Sequence, residues 1–90
     1  MEVNMHKLIE LKTMTDKQTQ AWLRKISTAT DTNTLPIALL GVNEDIKDCI
    51  FRNMSVYAKT MLKKSIHEQS KKNVKESEIQ KSINILGNLI

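Results

Sequence analysis

Cys49, His6, His67 and Ser55 are the side chains best equipped for covalent or metal chemistry, and none has the company such chemistry needs. A thiol nucleophile wants a nearby base and an accessible surface. Cys49 instead falls at helical spacing with Ile46 and Ile50, on the apolar side of its segment, and reads as a small core residue. Ser55 is better explained as a helix cap than as an attacking hydroxyl. His6 and His67 are far apart with no ligand spacing around either, so they read as surface residues rather than a metal pair. With a single cysteine, neither an intrachain disulfide nor a thiolate metal site can be assembled, which is compatible with a reducing compartment. Two glycines are too few for a phosphate-cradling loop. The expectation is no catalytic residue, no metal and no cofactor.

What remains is recognition by charge and by apolar surface. The net charge is +4, and Lys59, Lys63, Lys64, Lys71, Lys72 and Lys75 make the C-terminal half basic. Nucleic acid is the obvious partner for such a patch. Yet these lysines are not interleaved with stacking aromatics and no arginine-rich reading helix accompanies them, so a solvated face is the plainer reading. No stretch approaches the roughly 18 consecutive apolar residues of a membrane span, and the N-terminus lacks the apolar centre of a secretory signal. A cytoplasmic protein is expected, with any membrane association indirect.

The elements that must position these residues read as helices. Aromatic residues are limited to Trp22, Phe51 and Tyr57, so the core has to come from Leu, Ile, Met and Ala, which suits helix-on-helix packing. Ninety residues form one domain, 1–90, near the lower size limit for an independent core, and a place within a longer chain is compatible with that size. Thr15 and Gln18 have capping-box spacing ahead of Ala21, Trp22, Leu23 and Ile26, a helix running to about Thr28. Trp22 is the anchor of that stripe. After the polar cluster Thr30 to Thr34, Pro36 sits in a first turn and Gly41 at a left-handed C-terminal cap. Asn43 caps the next helix, with Glu44 and Asp45 at its start and Ile46, Cys49, Ile50 and Phe51 inward.

Ser55 opens a helix to about Gln69. Ala58, Met61, Leu62 and Ile66 face in, while Lys59, Lys63 and Lys64 face solvent. Met54 and Met61 are candidates to line an adaptable groove. Asn73 and Glu76 repeat the capping-box spacing before Ile79, Ile83, Leu86 and Ile90. The fold class is therefore all-α, a compact bundle of about five to six short helices.

Leu35 to Leu62 also carries a recognisable phrase. Ala38, Leu39, Gly41, Asn53, Met54, Ser55, Ala58 and Leu62 stand in register with L-x-x-A-L-K-G-A and, further on, N-M-S-x-R-A-A-x-x-L. That pattern resembles the C-terminal domain of the flagellar motor switch protein FliG. Toward the N-terminus Met5, Glu10, Leu11, Met14, Asp16, Lys17 and Gln20 are identical or similar to the family's residues, and Gln80, Lys81 and Ile83 match its last helix. The likeness needs about one residue deleted near Ser77 and roughly four added around Ser27 to Thr30. The family's M-F-x-F hinge is degenerate here, as Met5-His6-Lys7-Leu8, so that residues 1–14 read as a hinge and first helix.

The resemblance implies a non-enzymatic rotor component of the C-ring, at the cytoplasmic face of the inner membrane. Its partners would be proteins of the flagellar switch complex and the cytoplasmic loop of the stator. The family's torque ridge has a lysine before the glycine, an arginine after N-M-S-x, an acidic pair further along the same helix, and an arginine before the last helix. Leu40, Tyr57, Lys64 with Ser65, and Asn73 hold those places here, none with the family's charge. The partner-binding ridge then comprises Leu40, Tyr57, Lys59, Lys63, Lys64 and Asn73. Two readings follow from it: a rotor domain meeting a stator loop of altered charge, or a FliG-like adaptor that packs on switch subunits without torque. A small basic helical protein that binds nucleic acid is the third.

Overall fold

The computed structural model describes residues 7–90, so Met5 and His6 of the hinge-like segment lie outside the described residues. Five α-helices follow a helical stretch at 7–9 and a 3-10 turn at Glu10–Lys12: α1 Asp16–Ala29, α2 Thr34–Ala38, α3 Glu44–Arg52, α4 Val56–Ser70 and α5 Glu76–Asn88. The described residues contain no strand.

Local chemistry explains most of the boundaries. Thr15 and Gln18 close a full capping box: the Gln18 amide donates to Thr15 Oγ1 at 3.1 Å and the Thr15 amide donates to Gln18 Oε1 at 2.9 Å. Helix α1 ends where Thr30 turns extended and its hydroxyl donates to the Ile26 carbonyl at 2.8 Å. Asp31 then organises the loop into α2. Its Oδ1 accepts from the amides of Asn33 and Thr34 and from the Thr34 hydroxyl. These donors, the Asn33 amide first, hold the Asp31 carboxyl below its usual range. Ser55 opens α4 by accepting from the Ala58 amide at 3.1 Å.

Three expected end signals take a different form. Gly41 is not in the left-handed region, because no glycine among the described residues has positive φ. Its small size is used for packing instead: a Cβ there would come 2.5 Å from Ile79 Cγ2. Asn43 stands at the start of α3 without a side-chain hydrogen bond to the helix. Asn73 does not cap α5. It takes φ 54 to turn the chain, and the helix starts three residues later, at Glu76 behind Lys75.

The core gathers Leu8, Leu11, Trp22, Ile26, Ala38, Leu39, Ile46, Ile50, Ile83 and Leu86, all nearly sealed from solvent. Trp22 anchors α1 as expected. Its ring is buried and its Nε1 donates to the Leu86 carbonyl at 3.1 Å, so the one polar atom of the indole is satisfied where it is sealed. Leu8, the last residue of that hinge-like segment, is fully buried, whereas Lys7 is exposed. Nearby, Lys12 and Asp45 pair at 2.7 Å between the 3-10 turn and α3. Hydrogen bonding within the pair raises the Lys12 pKa and lowers that of Asp45. Both side chains are about half exposed, so this pair guides position more than it stabilises.

Two inward assignments fail. Ala21 faces solvent, because the buried face of α1 centres on Thr19, Trp22 and Ile26. Met61 is 44% exposed, on the flank of α4, while Leu62 takes the core position.

Candidate protein-contact face on α4

The N-M-S junction sets where α4 begins. Asn53 Nδ2 donates to the Cys49 carbonyl at 2.8 Å, holding the end of α3, and Asn53 Oδ1 accepts from Gln20 Nε2 of α1 at 3.1 Å. Arg52 reaches the same neighbour, pairing with Asp16 at 3.2 Å. An amide can donate to one helix and accept from another, and a carboxylate of the same shape could not. Ser55, two residues on, then fixes the first turn of α4.

That first turn is unusually apolar on its outside. Val56 is 77% and Tyr57 76% exposed. Helical spacing places Tyr57, Met61 and Lys64 along one outer flank, with Val56, Thr60, Lys63 and His67 beside them. Lys63 is steadied from below, its Nζ lying 5.3 Å from the centroid of the Phe51 ring on α3. Lys64 and His67 are exposed, but Lys59 is half-buried rather than free in solvent. Only Leu62 and Gln69 of α4 are fully buried, and Gln69 Nε2 donates to Asn33 Oδ1 at 3.3 Å.

The remaining members of the candidate ridge differ in setting. Leu40, in the turn after α2, is half-buried and packs against the core. Asn73 is exposed in the turn between α4 and α5. The exposed patch is thus concentrated on α4, and Val56, absent from the sequence-based set, belongs to it. A lone valine in a first turn carries no signal of its own; only burial separates it from a core residue.

Met54 and Met61 do line a groove, of about 330 Å³, with Leu23, Ile26, Leu35 and Pro36 among the other walls. Cys49 is buried. Among the described residues, no group of three or more His, Cys, Asp or Glu side chains could hold a metal ion, and no helix is long and apolar enough to cross a membrane.

Residues 1–88 match the FliG C-terminal domain family. The chain belongs to that family. No curated protein and no solved structure matches it. The FliG C-terminal domain is a structural and protein-interaction domain of the flagellar motor switch, not an enzyme family, and FliG is a cytoplasmic rotor component. In this FliG C-terminal domain Gly41 allows close packing of the turn after α2 against α5. Asn53 and Ser55 hold the α3 to α4 junction through their side-chain hydrogen bonds.

Proposed function

We propose that this FliG C-terminal domain is a non-enzymatic part of a flagellar motor switch that meets its protein partner through the outer face of α4, by apolar contact supplemented with lysine charge. The observation that carries the proposal is the pair Val56 and Tyr57, adjacent and each about three-quarters exposed. Large apolar side chains held side by side in water favour burial against a partner, at about 25 cal/mol per Å² removed from solvent. Tyrosine is also among the residues that most often dominate a protein interface.

Charge has a different part. Exposed ion pairs contribute about 0 to 1 kcal/mol each, so Lys63 and Lys64 affect encounter rate and partner choice more than affinity. A stator loop suited to the family's usual ridge would find no acidic pair at Lys64 and Ser65 and no arginine at Tyr57. The partner is therefore a switch protein, or a stator loop of altered charge, that offers an apolar surface with acidic residues near it. The domain works at the cytoplasmic side of the basal body. A purely structural adaptor is the second reading, favoured by the inward packing of Leu40.

Recovery of switch and stator proteins with the tagged chain tests this. Tyr57→Ala should remove most of the recovered partner, and the Lys63→Glu, Lys64→Glu double variant should reduce it in a salt-dependent way. Unchanged recovery with Tyr57→Ala contradicts the proposed face, and unchanged recovery with the charge-reversed variant leaves the adaptor.

A further inference from the structure

α4 is the longest helix and the least firmly held. Of its 15 residues only Leu62 and Gln69 are buried, whereas α5 buries five of 13 and α3 three of nine. The most deeply sealed apolar residues, from Leu8 at 0% to Ile26 at 4% exposure, include none from α4, where Leu62 stands at 7%. Helix α1 buries little more, but Asp16 ties it to Arg52 of α3, and Trp22 and Lys25 donate to the Leu86 and Leu89 carbonyls at the end of α5. α4 has no such set of ties. Among the described residues its side chains reach other helices and loops through one hydrogen bond, Gln69 to Asn33 at 3.3 Å, and through Lys63 over the Phe51 ring; none of the ion pairs involves it.

On its α1 side the helix borders open space. Two depressions, of about 330 and 390 Å³, lie between the helices, lined by Ala58, Met61 and Ser65 of α4 and by Leu23 and Ser27 of α1. The chain on either side of α4 is fixed without it. Asn53 is bonded to the Cys49 carbonyl and to Gln20, and α5 is packed against Gly41 through Ile79. A helix opens separately from its domain when little buried surface must be exposed to free it. We infer that α4 is a conformational unit of its own, a strap that undocks from a body made of α1, α2, α3 and α5 while that body stays folded. A lone helix of this length is marginal in water, so α4 melts once undocked and exposes its amides. Val56, Tyr57, Lys63 and Lys64 ride on the strap. On the reading proposed above, a partner that grips them holds the strap docked by mass action, and loosening the strap weakens the partner's hold.

Hydrogen exchange of the free full chain, followed by NMR under conditions where rates report opening equilibria, tests the undocking without a partner, so its failure would leave the contact face untouched. The slowest amides of α4 should exchange at least about tenfold faster than the slowest of α5, with a shallower dependence on added urea, because less surface is exposed than in global unfolding. Ile83→Val, in the sealed body, separates local from global opening. It should speed the slowest α5 amides by about two- to tenfold and leave those of α4 unchanged, because residue 83 stays packed when only α4 opens. Leu62→Ala should speed exchange throughout α4 by at least about tenfold while the buried Trp22 keeps its native emission. Equal protection of α4 and α5, a proportional speeding of both by Ile83→Val, or loss of the native Trp22 emission in Leu62→Ala overturns the inference.

Discussion

Gly41 lies directly against Ile79: a Cβ at that glycine would stand 2.5 Å from Ile79 Cγ2 and 3.4 Å from Ile83 Cδ1. The turn after α2 and the start of α5 approach this closely only because one side has no side chain. Gly41→Ala should therefore destabilise the domain by about 1 to 3 kcal/mol through overpacking. Ile79→Leu, which lacks the branch at Cβ, should recover part of that loss in the double variant. Urea unfolding of the four proteins in the cycle measures the coupling, and strictly additive effects would separate the two residues.

Trp22 ties α1 to the last turn of α5 through the Leu86 carbonyl. Trp22→Phe keeps an aromatic ring but removes the donor and some volume, for an expected loss of about 1 to 2 kcal/mol. Circular dichroism is the proper probe, because this substitution removes the only tryptophan.

Ser55 sets the first turn of α4, on which Val56 and Tyr57 are displayed. Ser55→Ala should cost about 1 kcal/mol and should speed amide exchange most in residues 56–59. Ser55→Asp should restore protection, since a carboxylate caps equally well and opposes the positive end of the helix.

Asp31 predicts a pH dependence. Its folded pKa is depressed, so the stability it contributes is present above the unfolded carboxylate value of about 3.9 and is lost as pH falls through the lower folded value. Asp31→Asn keeps an acceptor oxygen without the charge. The variant should be less stable than the parent near neutrality, and the gap should close on acidification below about pH 4. A gap that stays constant from pH 6 to pH 3 would mean that the charge adds nothing.

Much of the fold is legible in the chain, because capping chemistry is local. Thr15 with Gln18, Ser55 and Pro36 all occupy the positions their side chains suggest. The failures share a cause. A glycine near a helix end resembles a left-handed cap, but at Gly41 a neighbouring helix decides the residue, and that neighbour is 38 positions away. Asn73 and Glu76 have capping-box spacing, yet Asn73 is used to turn the backbone. Helical periodicity places Met61 within one step of Leu62 but cannot say which is sealed. The departures from the family ridge are readable as substitutions, whereas the burial of Leu40 and the exposure of Val56 depend on tertiary packing.

We propose that the scaffold of a FliG C-terminal domain persists here with an altered contact chemistry on α4. The most direct test places this chain in an otherwise standard rotor, scoring assembly by fluorescent foci and torque by rotation of a bead tethered to the filament. The predicted result is assembled rotors that do not turn against a standard stator, with rotation gained when Tyr57→Arg, Lys64→Glu and Ser65→Glu are introduced together. Full rotation by the unmodified chain would mean that the contact chemistry on α4 still serves a standard stator.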